Sequence, residues 1–204
     1  MREKIAAVLI LIIEKDGKEV VLLTKRNSKM RTHPGQISFP GGRMDPEDKT
    51  IIDTALREAR EEVGLIECSV LQVLQPCVSA HGLLVYPVLA KCKLFEPILS
   101  VDEVECIYYF EFKLFIQPVQ YDHSDWDMKT SKFYEKFKGL GTQSTVVRLH
   151  QFEINEKDSV WGLTSELAIQ AATIYFHAST NYNRMSPNQT KYWWEITEWF
   201  FKNK

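Results

Sequence analysis

A chain of 204 residues with 45% apolar and 25% charged residues carries enough apolar material for one domain with a sizeable core, which excludes a disordered or low-complexity chain. The formal net charge of -2 gives no strong global field for nucleic acid or an anionic membrane, so an anionic substrate must be met by local groups. Cys68, Cys77, Cys92 and Cys106 lie far apart without a Cys-x-x-Cys pair and read as reduced core thiols.

The most apolar run, Ile5 to Ile13, is far shorter than the roughly 20 residues of a membrane span and reads as a buried strand. Met1-Arg2-Glu3-Lys4 leads straight into it, and Phe201-Lys202-Asn203-Lys204 is not a peroxisomal address. A cytoplasmic location is the default expectation, with mitochondrial and peroxisomal locations left open. Asp16-Gly17 between this run and Val20 to Leu23 predicts a β-hairpin. From Thr32 to Asp48 the density of Gly and Pro excludes a regular helix and predicts a shaped loop with one short strand at Ile37 to Phe39. Thr50 with Asp53 three residues on predicts a capped helix that ends at Gly64, its core face formed by Ile52, Ala55, Leu56, Ala59 and Val63. Strands follow near Val70 to Leu74, Leu83 to Leu94 and Val104 to Phe112, with a turn at Ala80-His81-Gly82. The polar stretch Tyr121 to Gln143 reads as a mobile insertion, Thr145 to Ile154 as a strand and Leu163 to His177 as a helix. Residues 1–178 are thus expected to form one α/β domain with a mixed sheet. Ser179 to Asn188 reads as a linker, followed by an aromatic-rich helix, Thr190 to Phe201, expected to pack on its own domain or on a second copy in a homodimer.

Helical spacing places Glu58, Glu61 and Glu62 together on one face, with Arg57 four residues before Glu61. Three clustered carboxylates repel one another, and hard divalent cations such as Mg²⁺ are their natural partners. A solvated helix face is the competing explanation, although such faces normally intermix Lys with Glu. The neighbourhood favours chemistry: Phe39-Pro40-Gly41-Gly42 just before the helix lets backbone approach an ion or phosphate closely.

Gly41-Gly42 through Arg57-Glu58-Ala59-Arg60-Glu61-Glu62-Val63-Gly64-Leu65 resembles the Nudix box, the loop, helix and loop signature of diphosphate hydrolases. Its Arg-Glu-x-x-Glu-Glu-x-Gly half is matched residue by residue. The spacer from Gly42 to Arg57 is one residue longer than the common pattern, and Asp48 stands near the place of the family's first, mainly structural, glutamate. The resemblance implies an α/β/α sandwich with a mixed sheet, and Mg²⁺ or Mn²⁺ held by Glu58, Glu61, Glu62 and the Gly41 carbonyl. Glu58 and Glu103 are both candidates for the general base, Glu103 falling where such enzymes often place a further acid.

Upstream, Leu22-Leu23-Thr24-Lys25-Arg26-Asn27-Ser28-Lys29-Met30-Arg31-Thr32-His33-Pro34-Gly35-Gln36-Ile37-Ser38-Phe39-Pro40-Gly41-Gly42 resembles the signature of the coenzyme A diphosphatase branch, which also carries Asp45-Pro46 and Asp48 after the glycines. Lys25, Arg26 and Arg31 read as grouped cations for phosphates that a metal does not reach. The resemblance makes Arg26, Arg31, His33 and Gln36 the expected substrate contacts, and coenzyme A or acyl-coenzyme A the expected small-molecule substrate. Trp161-Gly162-Leu163-Thr164 matches a segment of the same branch and reads as a packed indole, a turn and a helix cap. ADP-ribose, dinucleotides or nucleotide sugars are the alternative substrates. A non-catalytic binding module is disfavoured because all the metal glutamates are present.

Overall fold

The computed structural model describes residues 5–79, 82–127 and 146–186. Strands β1 (Ile5–Lys15) and β2 (Lys18–Arg26) form the opening hairpin, joined by Asp16 and Gly17 at φ 53° and 73°. Two successive left-handed residues make the turn whose twist suits a two-residue hairpin, and Asp-Gly tolerates it. There follow β3 (Ile37–Ser38), β4 (Gly41–Arg43), α1 (Ile51–Val63), β5 (Ser69–Val73), β6 (Cys77–Val78), β7 (Leu84–Cys92) and β8 (Val104–Glu111). After a 3-10 turn at Phe112–Phe115 come β9 (Asp122–Asp127), β10 (Val146–Glu153), β11 (Ser159–Trp161) and α2 (Gly162–Tyr175).

Among the described residues, eight strands form one mixed sheet in the order β3-β2-β1-β7-β5, with β4 on β1, β6 on β7 and β8 on β2. The β1–β7 pair is parallel from Ile5↔Leu84 to Ile13↔Cys92, which explains why β1 is one continuous apolar run: it is covered on both faces. Ala7, Leu9, Leu11 and Ile13 pack with Ala55, Ala59 and Val63 of α1, while Ala6, Ile10 and Ile12 pack with Leu167, Ala168 and Ala172 of α2. The helices therefore lie on opposite faces, giving the α/β/α sandwich. Each fully buried Leu or Ile in these layers contributes about 1.5–3 kcal/mol. α2 is buried from Ser165 to Ala172 because it lies between the large sheet and a second antiparallel sheet, β11-β10-β9.

Several expectations need correction. The supposed insertion at Tyr121 contains β9, whose Asp-His-Ser-Asp-Trp-Asp sequence has little strand propensity but pairs with β10 from Asp122↔Gln151 to Asp127↔Val146. The rest of that stretch lies outside the described residues, as do Ala80 and His81 of the expected turn. The Trp161 indole is not packed; it is 49% exposed at the start of α2. The first part of the expected linker is docked: Tyr182 donates its hydroxyl to the Phe115 carbonyl at 2.6 Å, and Arg184 pairs with Glu166 at 2.8 Å. The aromatic helix at Thr190 to Phe201 lies outside the described residues. No described helix is long and apolar enough to cross a membrane. All four cysteines are free thiols, as expected, although only Cys77 is fully buried.

Candidate active site

The N-terminus of α1 is closed by a reciprocal cap: Asp53 N–H donates to Thr50 Oγ1 at 3.1 Å and Thr50 N–H donates to Asp53 Oδ2 at 2.8 Å. At the other end Gly64 takes φ 68° and donates to the Arg60 carbonyl at 3.0 Å. An added Cβ there would stand 2.9 Å from the Ile98 Cβ, so the glycine serves both the left-handed cap and the passage of the 98–103 loop.

Buried Asp48 fixes the N-terminal half of the helix. It accepts from Arg57 Nε at 3.1 Å, Arg57 Nη2 at 3.0 Å, Thr54 Oγ1 at 2.9 Å and the Asp45 N–H at 2.9 Å. The Arg57 hydrogen bonds come first in holding its carboxyl down at about 2, against the opposing effect of burial. The longer spacer before Arg57 has thus left a structural acid in place. Arg57 also reaches Glu58 at 3.0 Å, Glu61 at 2.9 Å and the Arg43 carbonyl at 3.0 Å, so one guanidinium organises the helix and the glycine loop together.

The three glutamates do not all converge. Glu61 turns outward to Arg57 and its side chain is 54% exposed, while Glu58 and Glu62 turn inward to Gly41-Gly42. An added Cβ on Gly42 would collide with the Glu58 carboxylate, and one on Gly41 with the backbone of Ala7 and Val8. These glycines let β4 lie between β1 and α1 with the acids directly against it. Glu62 is 3% exposed, and its Oε2 finds no hydrogen-bond partner among the described residues. Burial pushes its carboxyl up to about 8; Glu58 and Glu103 add to the rise, while Arg26 and the Gly41 N–H oppose it. Burial also raises Glu58, against the Arg57 charge.

Glu103 reaches this site through the chain leaving Ile98. Ser100 N–H donates to the Glu62 carbonyl at 3.1 Å, Glu103 N–H to the Ser100 carbonyl at 2.9 Å, and Asn27 N–H to the Glu103 carbonyl at 2.8 Å. Sequence reading singled out Glu103 but not Ser100 or Asn27, whose backbone bonds carry no residue-specific signal.

The cations separate by strand alternation, which corrects their reading as one group. Lys25 faces the α2 side and is held by Asp158 at 3.1 Å and Glu105 at 3.3 Å. Arg26 faces α1, with Nη1 at 4.0 Å from Glu62 Oε1 and Nη2 on Met30 Sδ at 3.3 Å, while its buried Nε finds no partner among the described residues. Arg31 and His33 are exposed on the loop after β2, where His33 has φ 54°. The Gln36 carbonyl accepts from the Arg26 N–H at 2.9 Å, closing that loop on the strand.

As placed, no three His, Cys, Asp or Glu side chains enclose a common point among the described residues. The donors nevertheless suit a hard divalent cation: two inward carboxylates, one of them with an orphaned buried oxygen, and a backbone loop without Cβ atoms. A proton or a cation must offset the charge at Glu62, and the site holds the oxygen atoms for either.

The family model described as the NUDIX domain matches residues 3–120. The chain is 35% identical over 196 residues to "Nudix hydrolase 22, chloroplastic" of Arabidopsis thaliana, covering 92% of this chain and 60% of that protein. It is 38% identical over 171 residues to "Uncharacterized Nudix hydrolase NudL" of Photorhabdus laumondii, covering 82% of each. It is 33% identical over 192 residues to "Peroxisomal coenzyme A diphosphatase ndx-8" of Caenorhabditis elegans, covering 90% and 74%. The chain spans about 60% of the length of the plant relatives it matches.

Proposed function

The chain belongs to the Nudix family, and from that premise we propose that it hydrolyses the diphosphate of coenzyme A and its acyl thioesters to 3′,5′-ADP and 4′-phosphopantetheine or its acyl derivative. The observation that carries this reading is the buried, half-compensated Glu62 beside Glu58 and the two glycines, immediately downstream of the Leu22 to Gly42 run. The relative named as a coenzyme A diphosphatase supports the substrate.

Nudix enzymes generally use divalent ions, and here Glu58, Glu61, Glu62 and the Gly41 carbonyl would hold Mg²⁺ or Mn²⁺, which when bound neutralises diphosphate charge and makes water more acidic. Glu58 and Glu103 are the carboxylates that can accept the proton of the attacking water on an Oε atom. Arg57 Nη1 bridges the Glu58 and Glu61 carboxylates and offsets their repulsion. Arg26 offsets the Glu62 charge at the reacting end, while Arg31, His33 and Gln36 are assigned to phosphates farther along the substrate. Residues 1–178 carry the catalytic domain in this reading, and Tyr182 and Arg184 dock on it.

The test is a product-resolved assay with Mg²⁺ or Mn²⁺ on coenzyme A, dephospho-coenzyme A, acyl-coenzyme A and ADP-ribose. Coenzyme A should give 3′,5′-ADP and 4′-phosphopantetheine, and acyl-coenzyme A should keep its acyl group on sulfur. Cleavage of ADP-ribose alone would overturn the substrate. Release of free coenzyme A from its thioester would overturn the reaction.

A further inference from the structure

Strand β5 is the outer strand of the large sheet beyond β7, and the two pair antiparallel with Ser69 opposite Lys91 and Val70 opposite Ala90. Carried one residue outward, the register brings Cys68 opposite Cys92. Opposed residues of an antiparallel ladder have Cα atoms about 4.5–5.5 Å apart, within the roughly 4.4–6.8 Å that a disulfide spans. Side-chain parity agrees. The Lys91 ammonium meets Glu19 at 3.0 Å and the Tyr175 hydroxyl of α2 at 3.4 Å, so its neighbour Cys92 turns to the opposite, α1, face. Cys68 and Cys92 are both half-buried there and pack against the cluster containing Ala59, Val63 and Leu65.

We propose that Cys68 and Cys92 form a reversible disulfide across the β5–β7 edge when the folded protein meets a small-molecule disulfide. Nothing else competes for either sulfur among the described cysteines: Cys77 is buried in the cluster on the α2 face, and Cys106 lies on β8 opposite Lys25, on the far side of β1 and β2. Burial raises both thiols, with Cys92 pushed up to about 11 in part by the charge of Cys68, while Arg60 opposes the rise at Cys68. Cys68 is therefore the first nucleophile and Cys92 the resolving one. The Cys68 thiolate attacks one sulfur of the oxidant, forming a mixed disulfide and expelling one thiolate. The Cys92 thiolate then attacks the Cys68 sulfur, closing the ring and expelling the second thiolate; the two protons lost by the cysteines end on the two released thiols.

The bond would tie the segment leaving the C-terminal cap of α1 to the neighbour of the central strand, making the far end of the carboxylate helix sensitive to redox state without touching its acids. The experiment incubates the folded full chain with oxidised glutathione, alkylates remaining thiols and maps peptides. The expected result is a mass lower by two hydrogens and a Cys68–Cys92 cross-linked peptide, with Cys77 and Cys106 alkylated after denaturation. Dithiothreitol should reverse it, and the oxidised chain should unfold at a higher temperature than the reduced one. Cys68→Ser and Cys92→Ser should each abolish the cross-linked peptide, and the wild-type map stands by itself if either variant fails to fold. Glutathione adducts on Cys68 or Cys92 without the cross-link, or a cross-link that appears only in denaturant, would overturn the proposal.

Discussion

Two buried glutamates on opposite faces of one sheet have been given opposite surroundings. Glu166 on α2 meets Arg184 at 2.8 Å, and that charge opposes the rise that burial imposes on its carboxyl. Glu62 on α1 is as deeply buried but faces other carboxylates, stands 4.0 Å from its nearest cation and keeps an unpartnered oxygen among the described residues. A buried acid with a close cation is part of the architecture. A buried acid short of compensation costs stability, and it persists where another partner completes it, which in the proposed function is a divalent ion.

The largest expected effect tests that contrast directly. Glu62→Gln should lower turnover at saturating Mg²⁺ by about 10³-fold, because it removes a proposed ligand, while leaving stability unchanged or higher because a costly buried charge is gone. A folded variant with near wild-type kcat would remove Glu62 from the chemistry. Glu166→Gln should do the reverse. Removing the carboxylate paired with Arg184 should cost about 3–5 kcal/mol in urea unfolding and leave kcat per folded molecule unchanged. If both variants lost activity and stability in the same proportion, the two acids would not be different in kind.

How much of this difference was legible in the sequence depends on range. The helix, its Thr50 and Gly64 caps and the glycine loop follow from contacts within a few residues, and they were readable. The mixed sheet was readable from strands interleaved with two helices, and the apolar run Ile5 to Ile13 was readable as the buried strand that lies beside β7. Grouping Lys25 with Arg26 and Arg31 ignored strand alternation, which sends neighbours to opposite faces. Docking of Tyr182 and Arg184 was not readable, because their partners Phe115 and Glu166 are distant in the chain. β9 was hidden because its pairing, rather than its composition, makes it a strand. The inward and outward splitting of Glu58, Glu62 and Glu61 depends on how close β4 comes, which no spacing within the helix encodes.

A smaller effect sharpens the division of the cations. Arg26→Ala should lower kcat/KM similarly for coenzyme A and dephospho-coenzyme A, because its guanidinium serves Glu62 at the reacting end. Arg31→Ala should cost about 1.5–3 kcal/mol on coenzyme A and little on dephospho-coenzyme A if it meets the 3′-phosphate. A selective loss in Arg26→Ala with none in Arg31→Ala would exchange their roles.

The smallest effect, absent at neutral pH, concerns the α2 side alone. His150 is 1% exposed; its Nδ1 lies 2.9 Å from the Tyr121 hydroxyl and its Nε2 3.1 Å from the Arg184 carbonyl. Burial first, then the neighbouring cationic groups, push its pKa down to about 4, against a bond to the Arg184 carbonyl that raises it. With an unfolded value near 6.5, the unfolded chain binds the proton that the folded chain refuses. Stability is therefore whole above about pH 6.5 and falls as pH drops toward 4, by about 1–3 kcal/mol from this group. Asp48, held at about 2, adds its own loss only below the ordinary carboxylate range, so the two acid phases separate. Urea unfolding from pH 7.5 to 4.5 should show the wild type losing stability relative to His150→Gln, the Glu62 contribution being common to both. An equal fall in both would assign the acid sensitivity to other groups. The carboxylate face has the opposite sign: a Glu62 raised to about 8 is more stable protonated, so metal-free protein should gain from that group as pH falls through 8 while His150 has yet to titrate. Added Mg²⁺ should erase that gain if it takes the proton's place, and a metal-independent profile between pH 9 and 7 would separate Glu62 from the ion.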